Sequence, residues 1–288
     1  MGQRYTLILL GLRAADPTIF QPVAEGQVMK IGIIGNGVVG QAMASCWSGH
    51  CNEVRVHDQI KAKETHDLIT TLESDLVFIC VPEGVLDDLF SEVSMPPRFR
   101  SANFILKSTV PIGTTRRLAH EYGLTNLVHC PEFLNSRTAI WDAQNPTQVL
   151  LGYVDWKRQS SGSLISSAMT ARFPGVPIRE LHSEETEAAK LFINAFGAAK
   201  VALFNEFKQL CDAEGLSWDD VREAMLGDGR IHPQWTQVPG PDGKPGFGGK
   251  CLPKDLDQLL DCYEDAELAP RILPAVKDLN WKLRGGGI

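Results

Sequence analysis

The sequence predicts an α/β protein, a doubly wound, largely parallel sheet followed by an all-helical region. Three observations predict it. A glycine-rich turn, Gly35-Asn36-Gly37-Val38-Val39-Gly40, stands between a short β-branched run and a helical pattern. Short apolar runs then alternate with helical or turn-rich segments, as parallel sheets require. From Ser183 onward the periodicity is helical.

Taken in order, residues 1–28 read as an extension. Thr6-Leu7-Ile8-Leu9-Leu10 is apolar, but Arg13 and Asp16 interrupt it, and the run is too short to span a bilayer. Met29 directly precedes the first strand, Lys30–Ile34. The turn after it is a Gly-x-Gly-x-x-Gly pattern. Gly35 permits the tight turn, Gly37 lets a pyrophosphate approach the backbone, and Gly40 allows close helix–strand packing. A second strand, Glu53–His57, ends at Asp58, which lies 18 residues beyond Gly40. An acid there suits the ribose hydroxyls of a dinucleotide and repels a 2′-phosphate, which favours NAD over NADP. A turn aspartate after an edge strand is the plainer alternative. The expected fold is therefore Rossmann-like over residues 29–182.

Further strands are expected at Leu76–Val81, Phe104–Lys107, Leu127–Cys130, Gln148–Tyr153 and Ile178–Leu181. Ligands in such folds bind at strand ends. The ends here carry Val81-Pro82-Glu83, Lys107-Ser108-Thr109-Val110-Pro111 and Cys130-Pro131-Glu132-Phe133-Leu134-Asn135. Thr109 offers a hydroxyl and Glu132 a carboxylate toward the nicotinamide end, unless they serve only as caps and turns.

Residues 183–288 read as a helical region. Ser183 and the acids Glu184, Glu185 and Glu187 suit a helix start, and the helix is expected over Glu184–Ala213. Lys190 and Asn194 lie four apart on one face of an apolar stretch. Either they snorkel to solvent or they line a pocket as oxyanion and hydroxyl ligands. Leu216–Leu226, Leu256–Tyr263 and Ala269–Leu283 are further expected helices, and Arg230 stands on a glycine turn between them. The stretch Pro245-Gly246-Phe247-Gly248-Gly249-Lys250-Cys251-Leu252-Pro253-Lys254-Asp255 places a thiol after a glycine-rich turn. Lys250 and Lys254 suggest a field that favours thiolate. If Leu252–Asp255 form a helical turn, Asp255 shares a side with Cys251. A surface loop with a free cysteine is the bland alternative.

Composition narrows the function classes. The chain has 288 residues, 43% hydrophobic and 22% charged, enough for two ordinary globular domains. A net charge of -7 argues against nucleic acid or an anionic membrane as a charge-driven partner. Seven cysteines at irregular spacing, without a Cys-x-x-Cys pair, form neither a disulfide framework nor a zinc site. Reduced thiols in the cytoplasm are the expectation.

Together these motifs resemble the UDP-glucose/GDP-mannose dehydrogenase family. The pieces that carry the resemblance are Gly35–Gly40, Asp58, Lys107–Pro111, Pro131–Leu134, Lys190 with Asn194, Gly229-Arg230-Ile231 and Gly246–Asp255. The resemblance implies NAD-dependent oxidation of a sugar C6 alcohol to a carboxylate. Cys251 would form a thiohemiacetal and then a thioester, and Lys190 and Asn194 would stabilise oxyanions. Asp255 and Thr109 would hold a water, and Glu132 would act as general base. Phe133, Leu134, Phe247, Gly248, Gly249 and Arg230 would contact a nucleotide-sugar substrate, Arg230 from the neighbouring subunit of a homodimer. Three departures stand out. The chain stops where relatives continue into a second nucleotide-binding domain. Ser136 replaces a glutamate that is frequent in the family. The Asp58–Asp75 stretch is short, with Glu83-Gly84 after Pro82. Two other readings remain. One is a two-domain hydroxyacid dehydrogenase making a single hydride transfer, and the other is a non-catalytic binding protein on the same fold.

Overall fold

A computed structural model describes residues 29–60, 65–94, 96–155 and 163–286. The expected extension, residues 1–28, lies outside the described residues.

Seven strands form one sheet in the order β2-β1-β3-β4-β5-β6-β7. They are β1 (Lys30–Ile34), β2 (Glu53–His57), β3 (Leu76–Ile79), β4 (Phe104–Leu106), β5 (Leu127–His129), β6 (Val149–Tyr153) and β7 (Ile178–His182). All neighbours pair in parallel except β5 and β6, which run antiparallel with Val128 opposite Tyr153. The doubly wound class expected from the sequence is the class observed.

Helices cover both faces, and the strand period of two sorts the core between them. On one face Ile31, Ile33, Phe78, Ile105, Val128 and Leu151 pack with α1 (Val38–Trp47), α5 (Ala139–Gln144) and α6 (Leu164–Arg172). On the other, Ile34, Val77, Ile79, Phe104, Leu106 and Leu127 pack with α2 (Leu68–Leu72), α3 (Leu86–Ser94) and α4 (Thr114–Glu121).

After β7 the chain is helical or looped. The 31-residue helix α7 (Ser183–Ala213) begins against the sheet, where Ser183, Thr186 and Glu187 are fully buried. Gly152 of β6 permits this approach, because a Cβ there would lie 2.1 Å from Thr186 Oγ1. Farther along, Leu191, Ala195, Ala198 and Val201 pack with α9 (Leu252–Asp265), α10 (Ile272–Leu283) and Phe247. The remaining helix, α8 (Trp218–Gly227), is capped by Ser217, which accepts the Asp220 N–H. Trp218 joins a small cluster with Phe204 and Val238.

Several helix boundaries differ from the sequence reading, and two starts differ by three residues or more. Helix α9 starts at Leu252 rather than Leu256, because Pro253 falls in the first turn, where a missing N–H costs nothing. Helix α10 starts at Ile272 rather than Ala269, because Ala269 precedes Pro270 and is biased toward extended backbone.

Candidate active site

The glycine turn is shaped as a cradle. Gly35 has φ 100°, and a Cβ there would meet the Cys80 carbonyl oxygen at 2.6 Å. At Gly40 a Cβ would lie 1.8 Å from the Gly35 carbonyl oxygen, so only glycine lets α1 enter this closely. Gly37 caps α1 and has nothing within 4 Å of its Cβ position, leaving open space in front of the helix N-terminus. Asp58 closes the turn from the β2 end, accepting the Asn36 N–H at 2.7 Å and the Ile60 N–H at 3.0 Å. Val38 is exposed at the opening, whereas Val39 packs inward. Val81, beside the glycine turn, accepts a 2.6 Å hydrogen bond from Ser108 at its carbonyl. Pro82 then starts a short 3-10 turn. Thr109 follows Ser108 and is half-buried. These residues fit a dinucleotide lying along the strand ends.

The second cluster draws on the β5 loop, α7 and α9. Lys190 and Asn194 do not snorkel to solvent, since only 4% and 8% of their surfaces are exposed. Lys190 Nζ pairs with Glu132 Oε1 at 3.1 Å and stands 5.3 Å from the Phe133 ring centre. Glu132 Oε2 accepts the Leu134 N–H at 2.6 Å, which curls the β5 loop around its own carboxylate. One turn along α7, Asn194 Nδ2 donates to Asp255 Oδ2 at 2.5 Å. Asp255 is almost fully buried, yet its Oδ1 has no aligned hydrogen-bond donor. Lys254 Nζ stands 2.6 Å from that oxygen as an ion pair. A polar atom left short in this way suits a water or a substrate hydroxyl.

Cys251 caps the start of α9, its carbonyl accepting the Asp255 N–H at 2.9 Å. The expected thiolate field is not what the fold builds. Burial of the sulfur pushes the thiol pKa up, and the charges of Glu132 and Asp255 push it further. Lys190 and Lys254 pull it down without prevailing. The residue as a whole remains exposed, so the sulfur is only partly desolvated.

The turn before Cys251 is anchored from two helices. Gly246 N–H donates to Asn205 Oδ1 at 3.0 Å and Phe247 N–H to Asn280 Oδ1 at 2.7 Å. Gly249 takes φ 78°. Gly248 leaves room for the Arg284 guanidinium, which would lie 2.8 Å from a Cβ. Phe247 itself is core, 4% exposed, rather than an open ligand surface. Arg230 is not brought to the cluster. It lies on an exposed turn after α8, paired with Asp228.

Two buried groups escaped the sequence reading. Glu187, one turn before Lys190, accepts from Gly113 N (2.6 Å), Thr115 N (2.8 Å) and Thr115 Oγ1 (2.5 Å). It ties α7 to the start of α4, just after the Thr109 loop. Burial raises its carboxyl to about 7, against the pull of those three donors. His129, fully buried, bonds Thr186 Oγ1 at 2.8 Å, and burial holds it neutral, with a pKa of about 3. A glutamate beside other glutamates and a strand histidine carry no signal in sequence.

Residues 184–282 match the description "UDP-glucose/GDP-mannose dehydrogenase family, central domain". UDP-glucose 6-dehydrogenase of Campylobacter jejuni is 33% identical over 158 residues, 55% of this chain and 38% of that protein. The Pseudomonas aeruginosa enzyme of the same name is 26% identical, with 88% of this chain and 65% of that protein aligned. The chain thus spans less than two thirds of either relative. Among solved structures, a UDP-glucose dehydrogenase from Pyrobaculum islandicum superposes with TM-score 0.73 at 23% identity, covering 89% of this chain and 68% of that one. The 3-hydroxyisobutyrate dehydrogenase of Mycobacterium tuberculosis gives TM-score 0.70 at 19% identity, covering 89% and 94%. At these identities the superpositions establish the fold.

Proposed function

We propose that this chain, whose residues 184–282 match the central domain of the UDP-glucose/GDP-mannose dehydrogenase family, oxidises the C6 alcohol of a UDP-glucose-like nucleotide sugar to the carboxylate with NAD. The observation that carries the reading is convergence. Glu132 from the β5 loop, Lys190 and Asn194 from α7, and Asp255 with Cys251 from α9 meet at one place.

Residues 29–182 form the cofactor-binding unit in this reading, and residues 183–288 the helical unit that supplies the cysteine. The cradle of Gly35, Asn36, Gly37, Val38, Val39, Gly40 and Asp58 would hold the adenosine and pyrophosphate. Val81, Pro82 and Thr109 would flank the nicotinamide. Bound NAD supplies the hydride acceptor for each oxidation.

The chain's own residues do the rest. The first oxidation leaves an aldehyde, to which Cys251 Sγ adds as the thiol loses its proton. The resulting oxyanion faces the Lys190 ammonium and the Asn194 amide, donors already fixed by Glu132 and Asp255. Loss of a second hydride gives the thioester. Asp255 and Thr109 hold a water, Glu132 takes its proton, and attack on the thioester carbonyl releases the carboxylate and the Cys251 thiolate. Alcohol and water thus become carboxylate with loss of two hydrides and three protons.

The same reading takes the chain as a homodimer through α7. Phe192, Phe196, Leu203 and Leu210 leave an apolar stripe on that helix, each between 45% and 65% exposed. Arg230 would then reach a partner's site.

A single-hydride hydroxyacid dehydrogenase is the second reading. Its support is the fold, which superposes on the M. tuberculosis neighbour with TM-score 0.70. A panel of UDP- and GDP-sugars with NAD, followed for NADH and acid product, separates the two. Acid formation from a nucleotide sugar is expected; turnover of 3-hydroxy acids alone would reverse the order.

A further inference from the structure

Across the sheet from α7, on the face covered by α1, α5 and α6, lies a cavity of about 180 Å³ beside the end of β5. Its walls are mainly apolar: Met43 and Trp47 of α1, Phe78 of β3, and Met169 and Phe173 at the end of α6. Exposed Trp141 stands among the lining residues. One end is charged. Lys107 follows β4 in phase with Ile105, so the strand period turns it to this face.

Lys107 is only 7% exposed, and no carboxylate among the described residues pairs with it. Its ammonium meets Cys130 Sγ and the Pro131 carbonyl oxygen, both at a long 3.4 Å. Neither contact is to a carboxylate, and an ammonium has three donors to place. A buried cation so weakly held is costly without an anion. Glu132 and Asp142 also line the cavity, but both are engaged. Glu132 is held by Lys190 Nζ and the Leu134 N–H. Asp142 Oδ2 accepts from Asn135 N at 2.7 Å and Thr138 Oγ1 at 2.8 Å.

We propose that this cavity binds a small apolar monoanion, a single-ring or branched-chain carboxylate, with Lys107 as its counter-ion. The volume suits one ring, since an engineered apolar cavity of about 150 Å³ accommodates benzene. The carboxylate would replace the two long contacts of Lys107, and the ring would lie against Trp47, Phe78 and Phe173. An occupant would touch Pro131 and Glu132, so binding would be felt at the Glu132–Lys190 pair. The inference stands whether or not the dehydrogenase reading holds.

The test uses the full chain with methyl-labelled methionine, titrated with benzoate and, as a neutral control, benzyl alcohol. Met43 and Met169 line the cavity, whereas Met225 belongs to the α8 cluster and serves as internal reference. Benzoate should shift the Met43 and Met169 methyls saturably and leave Met225 in place. Benzyl alcohol should bind more weakly. Lys107→Met should weaken benzoate by at least about tenfold, the loss of one charge-assisted hydrogen bond in a dry site. Unmoved methyls, equal affinity for benzyl alcohol, or undiminished benzoate binding in Lys107→Met would overturn the proposal. The first two results are read on the unaltered protein, so they decide the matter even if the variant does not fold.

Discussion

Replacing Lys190 with methionine tests whether the Glu132–Lys190 pair is a buried structural element or a surface contact. The side chains are 5% and 12% exposed, and their charged atoms lie 3.1 Å apart. Methionine keeps most of the lysine volume, so the change removes charge rather than packing. Among the described residues, Glu132 would retain only the Leu134 N–H as a hydrogen-bond donor. Breaking a buried pair from one side costs about 3–5 kcal/mol, because an uncompensated charge stays behind. With a urea slope of about 2–3 kcal/mol/M, the unfolding midpoint should fall by about 1–2.5 M. The double variant Lys190→Met/Glu132→Gln should recover much of that loss, since neither charge then remains. Paired urea titrations of parent, single and double variants measure the coupling directly. A loss below about 1 kcal/mol, the range of exposed pairs, would refute the reasoning.

Other outcomes follow from the same geometry. Glu187 has a folded-state carboxyl raised from 4.5 to about 7, so the folded state holds its proton longer than the unfolded one. Stability from this group is full below pH 4.5 and is lost as pH rises through about 7, by about 3 kcal/mol at most. Glu187→Gln should flatten that slope in urea midpoints compared between pH 5 and pH 8; an unchanged slope would contradict the assignment. Glu132→Gln should speed alkylation of Cys251 at fixed pH, because it removes a charge that raises the thiol pKa. Slower alkylation would mean the two groups do not share a field. Phe196→Glu should convert a dimer into a monomer in light scattering at micromolar concentration; an unaffected dimer would place the interface elsewhere.

The inner strands were legible because each is a short apolar run, as burial on both faces demands, while the edge strands Glu53–His57 and Ile178–His182 mix apolar with charged residues. Strand direction was not, since Val149–Tyr153 looks the same in either sense. Only the pairing shows that β6 opposes β5. The partners of Lys190 and Asn194 were equally hidden. Helical spacing put the two on one face, but snorkelling and pocket-lining read alike until Glu132 and Asp255 are placed opposite them. The thiol environment misled for a related reason. Sequence neighbours suggested lysine control of Cys251, whereas the charges that prevail come through space from the β5 loop and from Asp255. Lys107 stood in a recognisable motif, yet its direction of approach depends on strand phase in the finished sheet.

The central claim is that Cys251 carries the second oxidation, and product stoichiometry tests it most directly. With a nucleotide sugar that supports turnover, the account predicts two NADH for each sugar acid formed. It also predicts that Cys251→Ala makes no acid while retaining NAD binding, since Gly35–Gly40 and Asp58 lie apart from the thiol. One NADH per product, or acid formation undiminished in Cys251→Ala, would contradict it.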